Sequence, residues 1–118
     1  MGFQDLRKRL TSTVEQIEDQ RLQERFRGLG LSDLDHVVLR KPARVGGKIQ
    51  RMRITPRSGA SALEIIVSDG TGTVTAVFTG RRRIQGLETG RSVVLEGVPY
   101  AERGHRTLLN PAYTLLPG

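Results

Sequence analysis

Cysteine and tryptophan are absent from this 118-residue chain, histidine occurs twice, and the other aromatics amount to three Phe and two Tyr. Without cysteine there is no disulfide framework, no thiol nucleophile and no thiolate metal site, which fits a reducing compartment. His36 and His105 lie far apart in sequence and no carboxylate pair accompanies them, so neither a zinc site nor an acid–base centre is expected. No metal, cofactor or catalytic residue is called for. Apolar runs are no longer than Val37-Val38-Leu39 or Ile65-Ile66-Val67, far short of the ~18 residues that span a bilayer. Met1 to Arg9 lacks a hydrophobic signal core, so a cytoplasmic, membrane-free protein is the expectation. No Gly-x-x-x-x-Gly-Lys-Ser/Thr phosphate loop is present, and Gly28-Leu29-Gly30 and Gly70-Thr71-Gly72 read as a helix cap and a turn.

Positive charge is abundant. Lys and Arg number 19 against 12 Asp and Glu, for a formal net charge of +7. The first 39 residues are slightly acidic, so the whole excess falls in residues 40–118. Arg40 to Arg57 carries seven cations and no acid, and Arg81-Arg82-Arg83 forms a second cluster. Such a field attracts polyanions or acidic surfaces and says nothing about fold.

Phe3, Leu6, Leu10, Val14, Ile17, Leu22 and Phe26 recur mostly at spacings of three and four, which predicts one or two amphipathic helices before Gly28. Ser12 and Glu15 have the form of a capping box, at which the helix begins or restarts. This stripe suits docking on the chain's own domain; a protein partner is the other use for it. Asp33, Asp35 and His36 read as a solvated cap.

After Pro42 the period becomes two. Val45 and Ile49 share one face of a strand while Met52 and Ile54 continue on the other parity, which requires a bulge near Gln50-Arg51. Leu63, Ile65 and Val67, then an Asp69–Gly72 turn, then Val74, Ala76 and Phe78, predict a hairpin with a defined inside. Ile84 and Leu87 before Gly90 suit a short helix, and Val93–Tyr100 with Thr107–Leu116 a second hairpin around Glu102-Arg103-Gly104. The expected fold is mainly β: a five-stranded Greek-key barrel with a short helix between strands three and four, at residues 40–118, preceded by a helical segment at 1–39.

Residues 43–117 resemble the OB-fold nucleic-acid-binding family, and most closely the wedge domain of RecG-type DNA helicases. The likeness rests on Val45-Gly46-Gly47-Lys48, Val67-Ser68-Asp69-Gly70-Thr71-Gly72, Val77-Phe78, Leu87-Glu88-Thr89-Gly90, Leu95-Glu96-Gly97 and Asn110-Pro111-Ala112-Tyr113. Stand-alone domains of this kind are familiar from actinobacteria. The resemblance implies binding of nucleic acid, DNA more readily than RNA, in single-stranded or branched form. Family aromatics after the strand-three Phe are replaced here by Thr79, Gly80 and the arginine cluster.

The family's binding face, strands two and three, would present Glu64, Ile66, Ser68, Thr73, Thr75, Val77 and Thr79, with no aromatic to stack a base. The cations lie beside it: Lys48, Arg51 and Arg53 on strand one, Arg57 in the first loop, and Arg103, His105 and Arg106 near the last. Arg81, Arg82 and Arg83 would flank a helix start, as a solvated cluster or an anion site. Tyr100 is either a rim residue or a platform for one base, and Tyr113 is expected at the barrel base. Six phosphate contacts would give a log–log salt slope of roughly −4 to −5. Electrostatic, sequence-independent binding by a non-enzyme is the expectation, with an adaptor module, using the barrel face and N-terminal helix, as the alternative.

Overall fold

The computed structural model describes residues 3–117. Helix α1 runs Phe3–Gly28, followed by a single 3-10 turn at Leu34–His36. Seven strands follow: β1 (Ala43–Arg57), β2 (Ala60–Ser68), β3 (Thr73–Thr79), β4 (Ser92–Gly97), β5 (Tyr100–Glu102), β6 (His105–Leu109) and β7 (Ala112–Leu115). They form one sheet in the order β5-β6-β3-β2-β1-β4-β7, antiparallel except for β3 with β6.

This differs from five strands in a closed barrel, and proline is the reason. The expected fourth strand is interrupted at Val98-Pro99 and becomes β4 and β5; the expected fifth is interrupted at Asn110-Pro111 and becomes β6 and β7. Proline has no N–H for a ladder and fixes its own φ, so each strand changes partner there. β4 pairs with β1 and β7, whereas β5 pairs with β6. The ladder is open, yet it must curl. Five strand spacings separate β5 from β4 across the sheet, about 24 Å if it were flat. The chain from Gly97 to Tyr100 reaches only about 10 Å.

The expected helix between the third and fourth strands is absent. Arg81–Gly90 is a series of turns, with Leu87 N–H donating to the Ile84 carbonyl at 3.1 Å. Ile84 and Leu87 are buried all the same, because two successive turns bring residues three apart to one side as well as a helix does. The restart at Ser12–Glu15 does not occur either: the backbone is helical without interruption from Phe3 to Gly28.

Other expectations hold. The β1–β2 register slips between Ile49 and Arg51, where the parity change demanded a bulge. β1 pairs with β4 through Ala43–Lys48 and with β2 from Lys48 onward, so one bent strand serves both halves of the sheet. The core is built from Val45, Ile49, Leu63, Ile65, Val67, Val74, Ala76, Phe78, Val93, Leu95 and Leu108, the inward parity of their strands, together with Leu34. Met52 packs against it, but Ile54 is exposed and Val77, expected outside, is buried.

A second, smaller cluster docks α1. Phe26 and Leu31 pack on Val94, with Leu22 and Leu116 at its edge, while Val14 and Ile17 face solvent. Phe26 comes so close to β1 that a Cβ on Gly46 would lie 2.6 Å from its ring and 2.8 Å from Leu31. Only glycine permits that contact. The link between helix and sheet is pinned by Asp69. This buried carboxylate accepts hydrogen bonds from Leu34 N–H (2.9 Å), Thr71 N–H (2.9 Å), Thr71 Oγ1 (2.6 Å) and Gly72 N–H (3.2 Å). Burial of its charge is compensated by four donors, three of them backbone amides.

Candidate nucleic-acid interface

Two tight turns wall a groove on the outer face of the sheet. Ser58 and Gly59 join β1 to β2 with φ of 50° and 79°, and Arg103 and Gly104 join β5 to β6 with φ of 52° and 80°. Positive φ at both central residues is what a type I′ two-residue hairpin turn requires. Between these turns lies a groove of about 550 Å3 lined by Arg53, Thr55, Pro56, Arg57, Ser58, Glu64, Thr75, Glu102, Arg103, His105 and Thr107. Arg53, Arg57, Thr75, Arg103 and His105, far apart in sequence and all singled out from it, are thus brought together.

Their charges are not all available. Arg57 grips Glu102 through both nitrogens, at 2.9 and 3.1 Å, and donates to the Tyr100 hydroxyl at 3.0 Å. Hydrogen bonding from Arg57 holds the Glu102 carboxyl below its ordinary range, against the opposing effect of partial desolvation. The same bond holds the Arg57 guanidinium above its already high range. Across the groove floor, Arg53 is paired with Glu64 on β2 at 2.6 Å. Among the described residues, no carboxylate lies within ion-pair distance of Arg103. Tyr100 is a rim residue whose hydroxyl is engaged by Arg57.

The remaining cations sit elsewhere. Arg51 is exposed on β1 beside the slip, Arg106 is half-buried on β6 and lines a separate pocket with Leu39 and Thr73, and Lys48 lies in the first half of β1 in a groove shared with α1. Arg81, Arg82 and Arg83 are exposed, but no helix begins there, so no helix dipole acts on them. Tyr113 is 42% exposed and stands edge-on to Phe78, with ring centroids 5.8 Å apart. The Asp33, Asp35 and His36 trio is held by Arg27 on Asp33 at 3.2 Å and by His36 on Asp35 at 3.0 Å.

A curled, mainly antiparallel sheet whose outer groove lies between two hairpin turns defines the oligonucleotide- and oligosaccharide-binding class of fold. Residues 43–116 match a family of tRNA anti-codon type described as an OB-fold nucleic acid binding domain, and the chain belongs to that family. It is similar in fold to the solution structure of the replication factor A related protein from Methanobacterium thermoautotrophicum, with a TM-score of 0.54 at 14% identity, over 73% of this chain and 90% of that one. No curated protein matches the chain. No catalytic family is indicated by these matches. No helix among the described residues is long and apolar enough to cross a membrane.

Proposed function

We propose that the chain is a non-enzymatic module that holds a single-stranded or branched nucleic acid, DNA in preference to RNA, through its phosphate backbone. The observation that carries this reading is the groove between the Ser58-Gly59 and Arg103-Gly104 turns. Its walls are cationic, its floor is threonine and ion pairs, and no Phe, Tyr or Trp lines it. Such a surface suits phosphate contacts and offers no Phe, Tyr or Trp platform for successive bases. Arg103 adds independent support, because an arginine at φ 52° occupies a conformation that asparagine or glycine adopts at lower cost.

Ion pairing changes the expected strength. With Arg53 and Arg57 bound to Glu64 and Glu102, the cations left are Arg103 in the groove and exposed Arg51 beside it on β1. Two contacts correspond to a salt slope of roughly −1.5 to −2 in place of the steeper value that counting all the cations implies. Fluorescence anisotropy with labelled single-stranded, forked and duplex DNA and RNA, each in two unrelated sequences, tests this. Binding that weakens on this slope, with little dependence on sequence, supports it; no binding at ~50 mM salt ends it. Arg103→Asn sharpens the test: the turn should become more stable by about 0.5–1 kcal/mol while affinity falls, a trade that a merely structural arginine would not show.

A further inference from the structure

A second groove, also about 550 Å3, lies where α1 docks on the sheet, and its lining includes Arg21, Arg25, Lys48, Arg91 and Glu18. Those five side chains carry a net charge of +3, whereas the five charged residues of the first groove, Arg53, Arg57, Arg103, Glu64 and Glu102, carry +1. Two of the four cations are held in place by the chain's last residues. Arg25 donates to the Pro117 carbonyl at 3.1 Å, and Arg91 Nε donates to the Leu116 carbonyl at 3.2 Å. Neutral acceptors fix these guanidinium groups without cancelling their charge. Arg25 also sits in the last turn of α1, where a cation is favoured by the helix dipole. Arg21 follows Glu18 by three residues on the same helix face, and Lys48 is exposed on β1.

One strand, β1, contributes to both grooves. Lys48 lines the second and Arg53 the first, with exposed Arg51 between them on β1. Five residues of regular strand span about 16 Å, an upper limit across the register slip, so Lys48, Arg51 and Arg53 form an interrupted row along the exposed side of β1. We propose that the α1–sheet groove is a second phosphate-binding site, which takes the continuation of the nucleic-acid strand held in the first groove. This inference rests on the nucleic-acid reading above. It makes α1 part of the binding surface and lengthens the strand that one molecule covers.

The double variant Arg21→Gln with Lys48→Gln tests it, since neither side chain lies in the core and both replacements tolerate their backbone. Labelled oligothymidylates of about 6 and 20 nucleotides are titrated at several salt concentrations, the shorter matching one OB-fold site and the longer exceeding it. The expected result is about a tenfold loss of affinity for the 20-mer and a salt slope shallower by about 1.4, with the 6-mer changed by less than about twofold. Unchanged binding of the 20-mer overturns the second site and leaves the first groove's role standing. Equal weakening of both lengths also overturns it, because that is the signature of a general field. Failure of the wild-type chain to bind either oligomer overturns both readings together. Circular dichroism on the variant verifies that α1 is retained.

Discussion

The first groove gathers three guanidinium groups from β1 and the β5–β6 turn and pairs two of them with carboxylates; the second gathers four cations around a single glutamate. Glu64 and Glu102 each meet an arginine through close hydrogen bonds, whereas in the helix-side groove Arg25 and Arg91 meet backbone carbonyls. A tally of basic residues therefore understates the difference between the two sites. What matters for a polyanion is the charge left after internal pairing, because each paired arginine must give up its carboxylate before it can hold a phosphate. The pairs also have a constructive side. Arg57 ties the end of β1 to Glu102 and Tyr100 of β5, so the wall of the first groove is a cross-brace as well as a ligand surface.

The comparison breaks most completely if the helix is released. Asp69→Ala strands the Leu34, Thr71 and Gly72 amides and removes the anchor between the 3-10 turn and the β2–β3 turn; urea unfolding should show a loss of about 2–4 kcal/mol. Gly46→Val attacks the same docking from the other side. Overpacking against Phe26 should cost about 1–3 kcal/mol and abolish the second groove's contribution to long oligomers while sparing the first, read by anisotropy. Next in size is Glu102→Gln, which frees Arg57. Removal of this acid should steepen the salt slope by about 0.7 and raise affinity several-fold, at a stability cost below about 1 kcal/mol for so exposed a pair. Unaltered affinity would mean that Arg57 serves only as a brace. The smallest effect is that of pH. Glu102 has a folded-state acidity shifted downward, so the stability it contributes is present above the ordinary carboxylate range and is lost as the pH falls through its lowered value. Between pH 7 and 5 the Arg57–Glu102 brace should hold, and a thermal-melt series should show its loss only in stronger acid.

Much of the sheet was legible because alternation is a strict rule. Leu63, Ile65 and Val67 against Val74, Ala76 and Phe78 could face only one way, and the parity change in β1 could be met only by a bulge. The proline breaks were harder. Pro99 and Pro111 mark strand ends in any reading, but which partner the chain takes next is decided by the curl of the whole sheet. Ile84 and Leu87 show a similar ambiguity, since a spacing of three fits a helical turn and a pair of loop turns alike. For the site, the cations converging on the first groove were foreseeable from the fold, while their neutralisation was not. Arg53 and Glu64 are eleven positions apart and Arg57 and Glu102 forty-five, distances over which sequence carries no pairing signal. The second groove was invisible for a further reason: Arg21 and Arg25 join Lys48 and Arg91 only because Phe26 finds Gly46.

The parallel contact between β3 and β6 joins Thr75 to Thr107, about thirty positions away, after the chain has traced the Arg81–Gly90 turns, β4 and β5. Every other ladder contact of β3 is with its sequence neighbour β2. Loop-closure entropy makes so distant a pairing slow to form, and it extends over only three residue pairs. Native-state hydrogen exchange should therefore find the β5–β6 hairpin among the least protected parts of the sheet, opening as a unit while β1 to β3 stay closed. A wall that opens in this way would let a strand enter from the side, without having to be threaded by its end.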